Sequence, residues 1–201
     1  MRQRNGQWGH DRIGCGLLPV CVWHCRARGW FSQQARGHSV VWLGGAAQVI
    51  ALPDGTDTQV VYESGRTLSH VFFPTTAIVS ILHVLQDGCS TEVAMVGREG
   101  VVGISSFLGG VTTPSCSVVR SAGQGFRLAA RLIQEEFEQH ATVKQLMLKY
   151  TQALMCQMLQ NAVCNRHHSV EQHICRCLLE SLDRLGGNEL VMTHELIAQM
   201  L

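Results

Sequence analysis

The sequence has few charged residues and lacks long apolar runs, and these shortages exclude several classes of protein. No run reaches the roughly 18–20 apolar residues that a membrane-spanning helix needs. Only 15% of the 201 residues are charged and the net charge is +1. The chain therefore has no general basic excess for nucleic acid, and any contact with DNA must be local. With 46% hydrophobic residues, the composition is that of a globular protein.

Recognisable catalytic motifs are also lacking. No nucleophile–base pair, HExxH motif, P-loop or catalytic pair of carboxylates occurs in the chain. The stretch GREGVVG, residues 97–103, has the glycines of a phosphate-binding loop but not its Gly-Lys-Ser/Thr ending. We therefore predict a protein that is not an enzyme and that carries no cofactor.

The cysteines do not form a disulfide framework. They are odd in number and scattered, and several lie in apolar helical runs, where a free cysteine behaves as a small hydrophobic residue. A secretory signal is also not indicated, because the short apolar run 13–23 is followed by HCRARG, a poor cleavage site. We predict reduced thiols in a cytoplasmic protein. The nine are Cys15, Cys21, Cys25, Cys89, Cys116, Cys156, Cys164, Cys175 and Cys177.

Composition changes sharply near residue 58. All four tryptophans lie before that point, together with six arginines and no lysine. Apolar residues there follow neither the period of a strand nor that of a helix. We expect residues 1–58 to be a poorly ordered leader that is foreign to the rest of the chain.

Residues 59–128 have the pattern of short strands separated by turns. HVFFPTTAIVSILHVL is rich in β-branched and aromatic residues, Asp87-Gly88 is a hairpin signal, and STEVAMV alternates as a strand does. Gly97, Gly100 and Gly103 mark two further turns. The spacing predicts a small antiparallel barrel or roll.

From residue 129 the pattern becomes helical. RLIQEEFEQH predicts a short amphipathic helix, and residues 143–164 predict a long one without Gly or Pro. The long helix is apolar on two sides. Leu148, Cys156 and Leu159 lie opposite a stripe that contains Met147, Tyr150, Leu154, Met158 and Asn161. Two apolar sides favour packing against both the helix's own domain and a partner helix, but a wholly intramolecular core helix fits the same period.

Two shorter helices are predicted after the long one. Ser169 and Gln172 have the spacing of a capping box at the start of the first, which Gly186-Gly187 ends. Its apolar stripe, Ile174, Leu178, Leu182 and Leu185, is expected to be buried. Thr193 is a suitable N-cap for the second helix, and Glu195 falls in its first turn, where the helix dipole favours an acid. Leu196 and Ile197 belong to the apolar face of that last helix.

The order of these elements and several motifs resemble the CRP/FNR-type transcription regulators. YESGRTLSHVFFPTTAIVSIL, VAMVGREGVVGISSFLGG and NELVMTHELIAQML carry the likeness, and the junction CNRHHSVEQHICRCLLESLDR resembles one subgroup most. The likeness covers about residues 59–201. It implies an α+β fold with a cyclic-nucleotide-binding-like β-roll at 59–142, a dimerisation helix at 143–164 and an incomplete winged helix-turn-helix at 165–201. The dimer-contact residues expected in the dimerisation helix are Met147, Tyr150, Leu154, Met158 and Asn161. Thr193, Glu195, Leu196 and Ile197 would then belong to the supporting first helix of the helix-turn-helix.

The resemblance also places an effector pocket in the β-roll, but with altered residues. Nucleotide-binding members of the family have a Gly-Glu pair that holds the ribose and, about a dozen residues later, an Arg-Ser/Thr pair that holds the phosphate. Here Gly103, Ile104 and Ser105 occupy the first position, and Ser115 and Cys116 the second. Because no arginine lies between Val101 and Val119, we expect that cAMP and cGMP do not bind tightly.

Two groups of Cys and His residues could be considered as metal sites. Cys15, Cys21, His24 and Cys25 are near one another, but their spacing is not a standard zinc pattern. The pairs Cys164–His168 and His173–Cys177 have i, i+4 spacing at a helix junction, where polar hinge residues are the simpler interpretation. We predict no metal site.

The function implied is that of a cytoplasmic transcription regulator that acts as a homodimer. Promoter DNA and RNA polymerase are the partners implied for the complete protein. Because the family's recognition helix would follow Leu201, we expect that the chain as written does not read a DNA sequence. The alternative is a stand-alone sensor or dimerisation module without DNA binding, and a weaker one is a metal sensor that uses the Cys and His groups.

Overall fold

The computed structural model describes residues 47–52, 60–110 and 112–185. In this part of the chain, strands come first and helices follow, which confirms the predicted α+β class. The strands are β1 Gln48–Leu52, β2 Val60–Tyr62, β3 His70–Pro74, β4 Ile78–Val84, β5 Ser90–Val96, β6 Cys116–Ser121 and β7 Gly123–Ala129. The helices are α1 Ala130–Gln139, α2 Ala141–His167 and α3 Val170–Leu185, and one 3-10 turn, Ile104–Ser106, lies between β5 and β6.

The strands form two antiparallel sheets that enclose the core. One sheet has the order β1-β7-β3 and the other the order β2-β6-β4-β5. Val71 is paired with Leu128 in the first sheet, and Val79 with Val119 in the second, and all four side chains are 0% exposed. These buried pairs form the inner faces of the two sheets, which together make the β-roll that the sequence predicts.

Strand β1 corrects the predicted domain boundary. It lies inside residues 1–58, which the composition assigned to a leader, yet it pairs along its whole length with β7. Its five residues, QVIAL, do not alternate in polarity, and the partner strand is more than 70 residues away in the chain. A strand defined by a distant partner leaves little local signal, so the β-roll begins earlier than predicted.

Two local predictions are confirmed. The Leu85 N–H donates to Cys89 O (2.8 Å) across the turn at Asp87-Gly88, so that β4 and β5 form the predicted hairpin. At the start of α3, the Ser169 N–H donates to Gln172 Oε1 (3.0 Å) and the Gln172 N–H to Ser169 Oγ (3.4 Å), which is a capping box.

Helices α1 and α2 cover the β-roll. Ile133 of α1 is 2% exposed, and Phe137 packs against Phe107 beside the 3-10 turn with ring centroids 5.3 Å apart. Tyr150 and Leu154 of α2 belong to the same hydrophobic core as the strands. No helix in the described part of the chain combines the length and the apolar character needed to cross a membrane.

The outer face of the four-stranded sheet holds a buried ion pair. Arg120 Nη1 donates to Glu92 Oε2 (2.6 Å), and Ser80 Oγ donates to the same oxygen (2.6 Å). The two charged side chains are only 2% and 6% exposed. The neighbouring Val119 points into the core, so Arg120 points to the opposite face.

We expect that breaking this ion pair from one side destabilises the protein strongly. Arg120→Met leaves the Glu92 carboxylate buried without its cation, which costs about 3–5 kcal/mol of the free energy of unfolding. Replacing both residues with apolar ones (Arg120→Met with Glu92→Leu) should cost less than the single change, since no uncompensated charge remains. Urea denaturation followed by circular dichroism measures both.

The control is Arg131→Ala, which removes an arginine from the exposed i, i+4 pair with Glu135. It should change the free energy of unfolding by no more than about 0.5 kcal/mol. A single Arg120 variant as stable as this control would contradict the importance of the buried pair.

Candidate functional site

The predicted effector residues lie in two loops of the β-roll. Gly103 precedes the 3-10 turn with a φ of 101°, and its carbonyl accepts a hydrogen bond from Ser106 Oγ (2.8 Å). Ile104 is partly buried against the core, and Ser105 O accepts from the Gly110 N–H (2.9 Å), which closes the loop. In the second loop, Ser115 Oγ is 2.8 Å from Thr113 Oγ1, and Cys116 begins β6.

These two loops offer little charge to an anionic ligand. Ile104 supplies no carboxylate and Ser115 no guanidinium. The next arginine along the chain, Arg120, is paired with Glu92 on the outer face of the sheet. Ile104 and Ser115 therefore cannot form the strong charge-assisted hydrogen bonds that hold a cyclic nucleotide.

Tyr62 is a residue that sequence reasoning missed. Its hydroxyl donates to His70 O, its ring lies edge-on to Phe72 with centroids 5.4 Å apart, and it packs directly on Gly103. A Cβ at Gly103 would lie 2.8 Å from the Tyr62 hydroxyl oxygen. Burial raises the pKa of Tyr62 well above its ordinary value, which keeps the hydroxyl protonated as a donor. Nothing in a local motif marks this residue, because its partners come from β3 and from the loop after β5.

A shallow cleft of about 290 Å³ lies beside Tyr62, between β2, β3 and β7. Two arginines line it, and both have partners. Arg66 Nε donates to Glu63 Oε2 (2.9 Å), and Arg127 Nη2 donates to Gln48 Oε1 (2.5 Å). Arg66 is therefore paired with a carboxylate, whereas Arg127 is held by a neutral amide and keeps its positive charge at the cleft.

The long helix α2 buries the stripe that the sequence predicts for the dimer contact. Four of its five residues are almost fully covered within this single chain: Met147 is 7%, Tyr150 5%, Leu154 3% and Asn161 1% exposed, and Met158 is partly buried. Asn161 Nδ2 donates to Val93 O of β5 (3.1 Å). These side chains pack on their own β-roll, so they are not the surface that a partner helix could contact.

The opposite side of α2 is apolar and exposed. Leu148, Met155, Leu159 and Val163 are 46%, 56%, 67% and 56% exposed. Steps of seven, four and four residues place them along one side of the helix, more than a third of a turn away from the buried stripe. Sequence reasoning recognised Leu148 and Leu159 on this side but not Met155 and Val163.

Helix α3 lies against the outer face of the four-stranded sheet through polar contacts. Arg184, which is 3% exposed, reaches Glu99 and Met95 of the β-roll. Ser181 Oγ is 3.7 Å from Met95 Sδ, and Cys177 is 1% exposed. For this helix, the prediction of which residues form the buried stripe was wrong. Ile174, Leu178, Leu182 and Leu185 are only partly buried. The fully buried residues are His173, Cys177, Ser181 and Arg184, because the sheet surface that receives the helix is itself polar.

The Cys and His residues at the junction of α2 and α3 make structural contacts. His173 Nε2 lies 2.8 Å from Cys164 O, and Gln160 Nε2 donates to Cys164 Sγ (3.2 Å). Within the described residues no three His, Cys, Asp or Glu side chains are grouped so that they could hold a metal ion. The other predicted group, Cys15, Cys21, His24 and Cys25, lies outside the described residues.

The sequence matches no family model and no curated protein, but the fold matches solved structures. FixK2 from Bradyrhizobium japonicum is similar with a TM-score of 0.64 at 15% identity, over 76% of this chain and 76% of that one. A transcriptional regulator of the CRP/FNR family from Eubacterium rectale has a TM-score of 0.63 at 12% identity, over 89% and 78%. The c-di-GMP-responsive global regulator CLP from Xanthomonas campestris has a TM-score of 0.57 at 14% identity, over 77% and 79%.

The fold is that of the CRP/FNR regulators. In this fold the two sheets form the β-roll and α2 is the long helix after it. Helix α3 follows α2. The supporting-helix residues Thr193, Glu195, Leu196 and Ile197 lie outside the described residues.

We expect Gly103→Ala to lower the stability of the β-roll by more than the strained backbone conformation at residue 103 alone would cause. Alanine at a φ of 101° costs about 1–2 kcal/mol, and the new methyl group also meets the Tyr62 hydroxyl. Gly109→Ala is the matched control, since Gly109 has a φ of 89° and a Cβ there would meet no atom within 4 Å. Thermal unfolding should show the larger loss for Gly103→Ala. Equal losses would mean that the Tyr62 contact is unimportant.

We also expect cAMP and cGMP to show no tight binding in isothermal titration calorimetry. The physical reason is the missing carboxylate and guanidinium at Ile104 and Ser115. The double variant Ile104→Glu with Ser115→Arg should bind cAMP more tightly than the parent chain, because it restores both charged groups. Micromolar affinity of the parent chain for cAMP would contradict the prediction.

Proposed function

We propose that the protein is a cytoplasmic DNA-binding transcription regulator of the CRP/FNR type that acts as a homodimer. The β-roll is the sensor, α2 pairs with the α2 of a second copy, and α3 connects the sensor to the DNA-binding part. The observation that carries this proposal is the two-sided α2, joined to a β-roll with the fold of these regulators.

The exposed side of α2 supports pairing with a second copy. Its four apolar residues run from Leu148 to Val163, about four turns of helix, and their spacing is close to that of a coiled-coil seam. An exposed apolar stripe of this length, interrupted by Gln152 in one turn, is uncommon on the surface of a monomer and favours an interface. A two-fold axis along α2 would place the same stripe on both sides of the contact, as an isologous dimer requires.

A dimer allows such a protein to contact two DNA half-sites at once. Two copies related by a two-fold axis present two DNA-binding parts at a set distance, which matches half-sites one helical turn apart. Promoter DNA and RNA polymerase are the proposed partners. The low net charge of +1 means that phosphate contacts would come from a local patch rather than from the whole surface.

We expect Leu159→Glu to dissociate the dimer. It places a carboxylate at the middle of the apolar stripe on both copies, where burial of like charges is unfavourable. Val49→Glu is the matched control, since Val49 has the same exposure, 67%, but lies on β1. Light scattering after size-exclusion chromatography should give a dimer for the parent and the control, and a monomer for Leu159→Glu. A parent chain that is monomeric, or a Leu159→Glu variant that stays dimeric, would refute this assignment.

A binding-site selection from random DNA tests the DNA function. It should be run with this chain and with the product of the complete gene. Enrichment of sequences with two-fold related half-sites by the gene product supports the regulator, and the Leu159→Glu change should abolish it. No enrichment by either protein would favour the stand-alone sensor module.

A further inference from the structure

One buried guanidinium joins the β-roll to α3. Arg184 is 3% exposed although it carries a full charge. Its Nε donates to Glu99 Oε1 (2.8 Å), its Nη2 to Met95 O (3.0 Å) and its Nη1 to Glu180 O (2.8 Å). Each nitrogen of the planar group therefore has an acceptor, two of them on the β-roll and one on α3 itself.

The two acceptors on the β-roll lie where β5 ends and the next turn begins. Met95 is near the end of β5, and Glu99 is in the turn that follows, where its carboxylate also accepts from the Gly97 N–H (3.3 Å). A buried arginine is stable only where such acceptors compensate its desolvation. The position of Arg184, and with it the last turn of α3, therefore depends on the geometry of this turn.

The same segment leads directly into the effector loop, which holds the predicted effector residues Gly103, Ile104 and Ser105. Val101 O accepts from the Tyr150 hydroxyl of α2 (2.9 Å), and Val102 exchanges two backbone hydrogen bonds with Phe72 (2.8 and 3.0 Å). The next residue, Gly103, packs on Tyr62 and directly precedes the 3-10 turn. The carboxylate that holds α3 and the glycine that starts the loop thus belong to one short segment of the chain.

We infer that Arg184 is a positioning residue, which sets where α3 docks on the β-roll through Glu99 and so links α3 to the state of the 97–103 segment. The inference rests on the proposed function, in which α3 leads from the sensor to the DNA-binding part. A change of the effector loop that moves Glu99 would loosen α3, and the DNA-binding part would change its position relative to the sensor.

Two cysteines on α3 report on this docking. Cys177 faces the sheet and is 1% exposed, whereas Cys175, two residues earlier, is exposed. Burial raises the pKa of the Cys177 thiol to about 11, so the docked helix protects it from alkylation both sterically and by keeping it protonated. Trypsin cleaves at Arg176, between the two cysteines, so mass spectrometry can follow each thiol separately.

The experiment measures the rate of iodoacetamide labelling at Cys177 in the full 201-residue chain. Arg184→Glu should raise that rate at least about tenfold, because the new carboxylate faces Glu99 and opens the docked state. Labelling of Cys175 should not change. Arg131→Glu on the exposed face of α1 is the matched control, and should leave both rates as in the parent.

A charge exchange separates positioning from simple packing. Glu99→Arg combined with Arg184→Glu restores an ion pair across the contact, so it should recover part of the protection lost in Arg184→Glu alone. If Arg184 only filled space, the double variant would label at least as fast as the single one. That result, or unchanged labelling in Arg184→Glu, would overturn the inference.

Hydrogen exchange in β4 distinguishes undocking from global unfolding. Amides of Ile78–Val84 should stay protected in Arg184→Glu while those of α3 exchange faster. If β4 also loses protection, the milder variant Glu99→Gln is used, because it keeps a hydrogen-bond acceptor but removes the charge. Faster Cys177 labelling in this variant with β4 still protected supports the inference. Unchanged Cys177 labelling overturns it. All of these readouts are independent of DNA, so they can succeed or fail separately from the proposed function.

Discussion

The rest of the described structure depends on how the 97–103 segment packs between two helices and the β-roll. At Gly100 a side chain is sterically excluded, since a Cβ would lie 2.5 Å from the Tyr150 hydroxyl oxygen. The same hydroxyl donates to Val101 O, and Glu99 binds Arg184. Through these contacts one short turn determines where α2 and α3 lie relative to the sheets. A displacement of the turn cannot be absorbed locally, because close-packed contacts on three sides leave it no free space.

The two surfaces of the four-stranded sheet have different physical roles. The inner surface is apolar and has residues such as Val79 and Val119 at 0% exposure, so it supplies most of the stability of the β-roll. The outer surface is polar, with the Glu92–Arg120 pair and the site for Arg184. Buried ion pairs contribute little net stability but require one geometry. An apolar core with a polar docking surface therefore suits a stable β-roll whose attached helix must take a defined position.

Predictions from local sequence patterns were confirmed where the structure depends on residues that are close together in the chain. The hairpin at Asp87-Gly88 and the capping box from Ser169 to Gln172 depend on residues at most a few positions apart. Strand β1 was missed because its signal is the distant partner β7. For α2 the period correctly indicated two apolar sides, but it could not tell which side faced the β-roll. Both stripes contain residues that are equally suited to a core.

The sequence by itself determined the α+β class and the order of most strands and helices. These properties follow from residue type and spacing alone. Only the tertiary structure decided that Tyr62 packs on Gly103, that Arg184 lies buried against Glu99, and which side of α2 stays exposed. Such pairings join residues as much as 85 positions apart, and their energies depend on burial and on hydrogen-bond geometry, which exist only once the sheets and helices have come together.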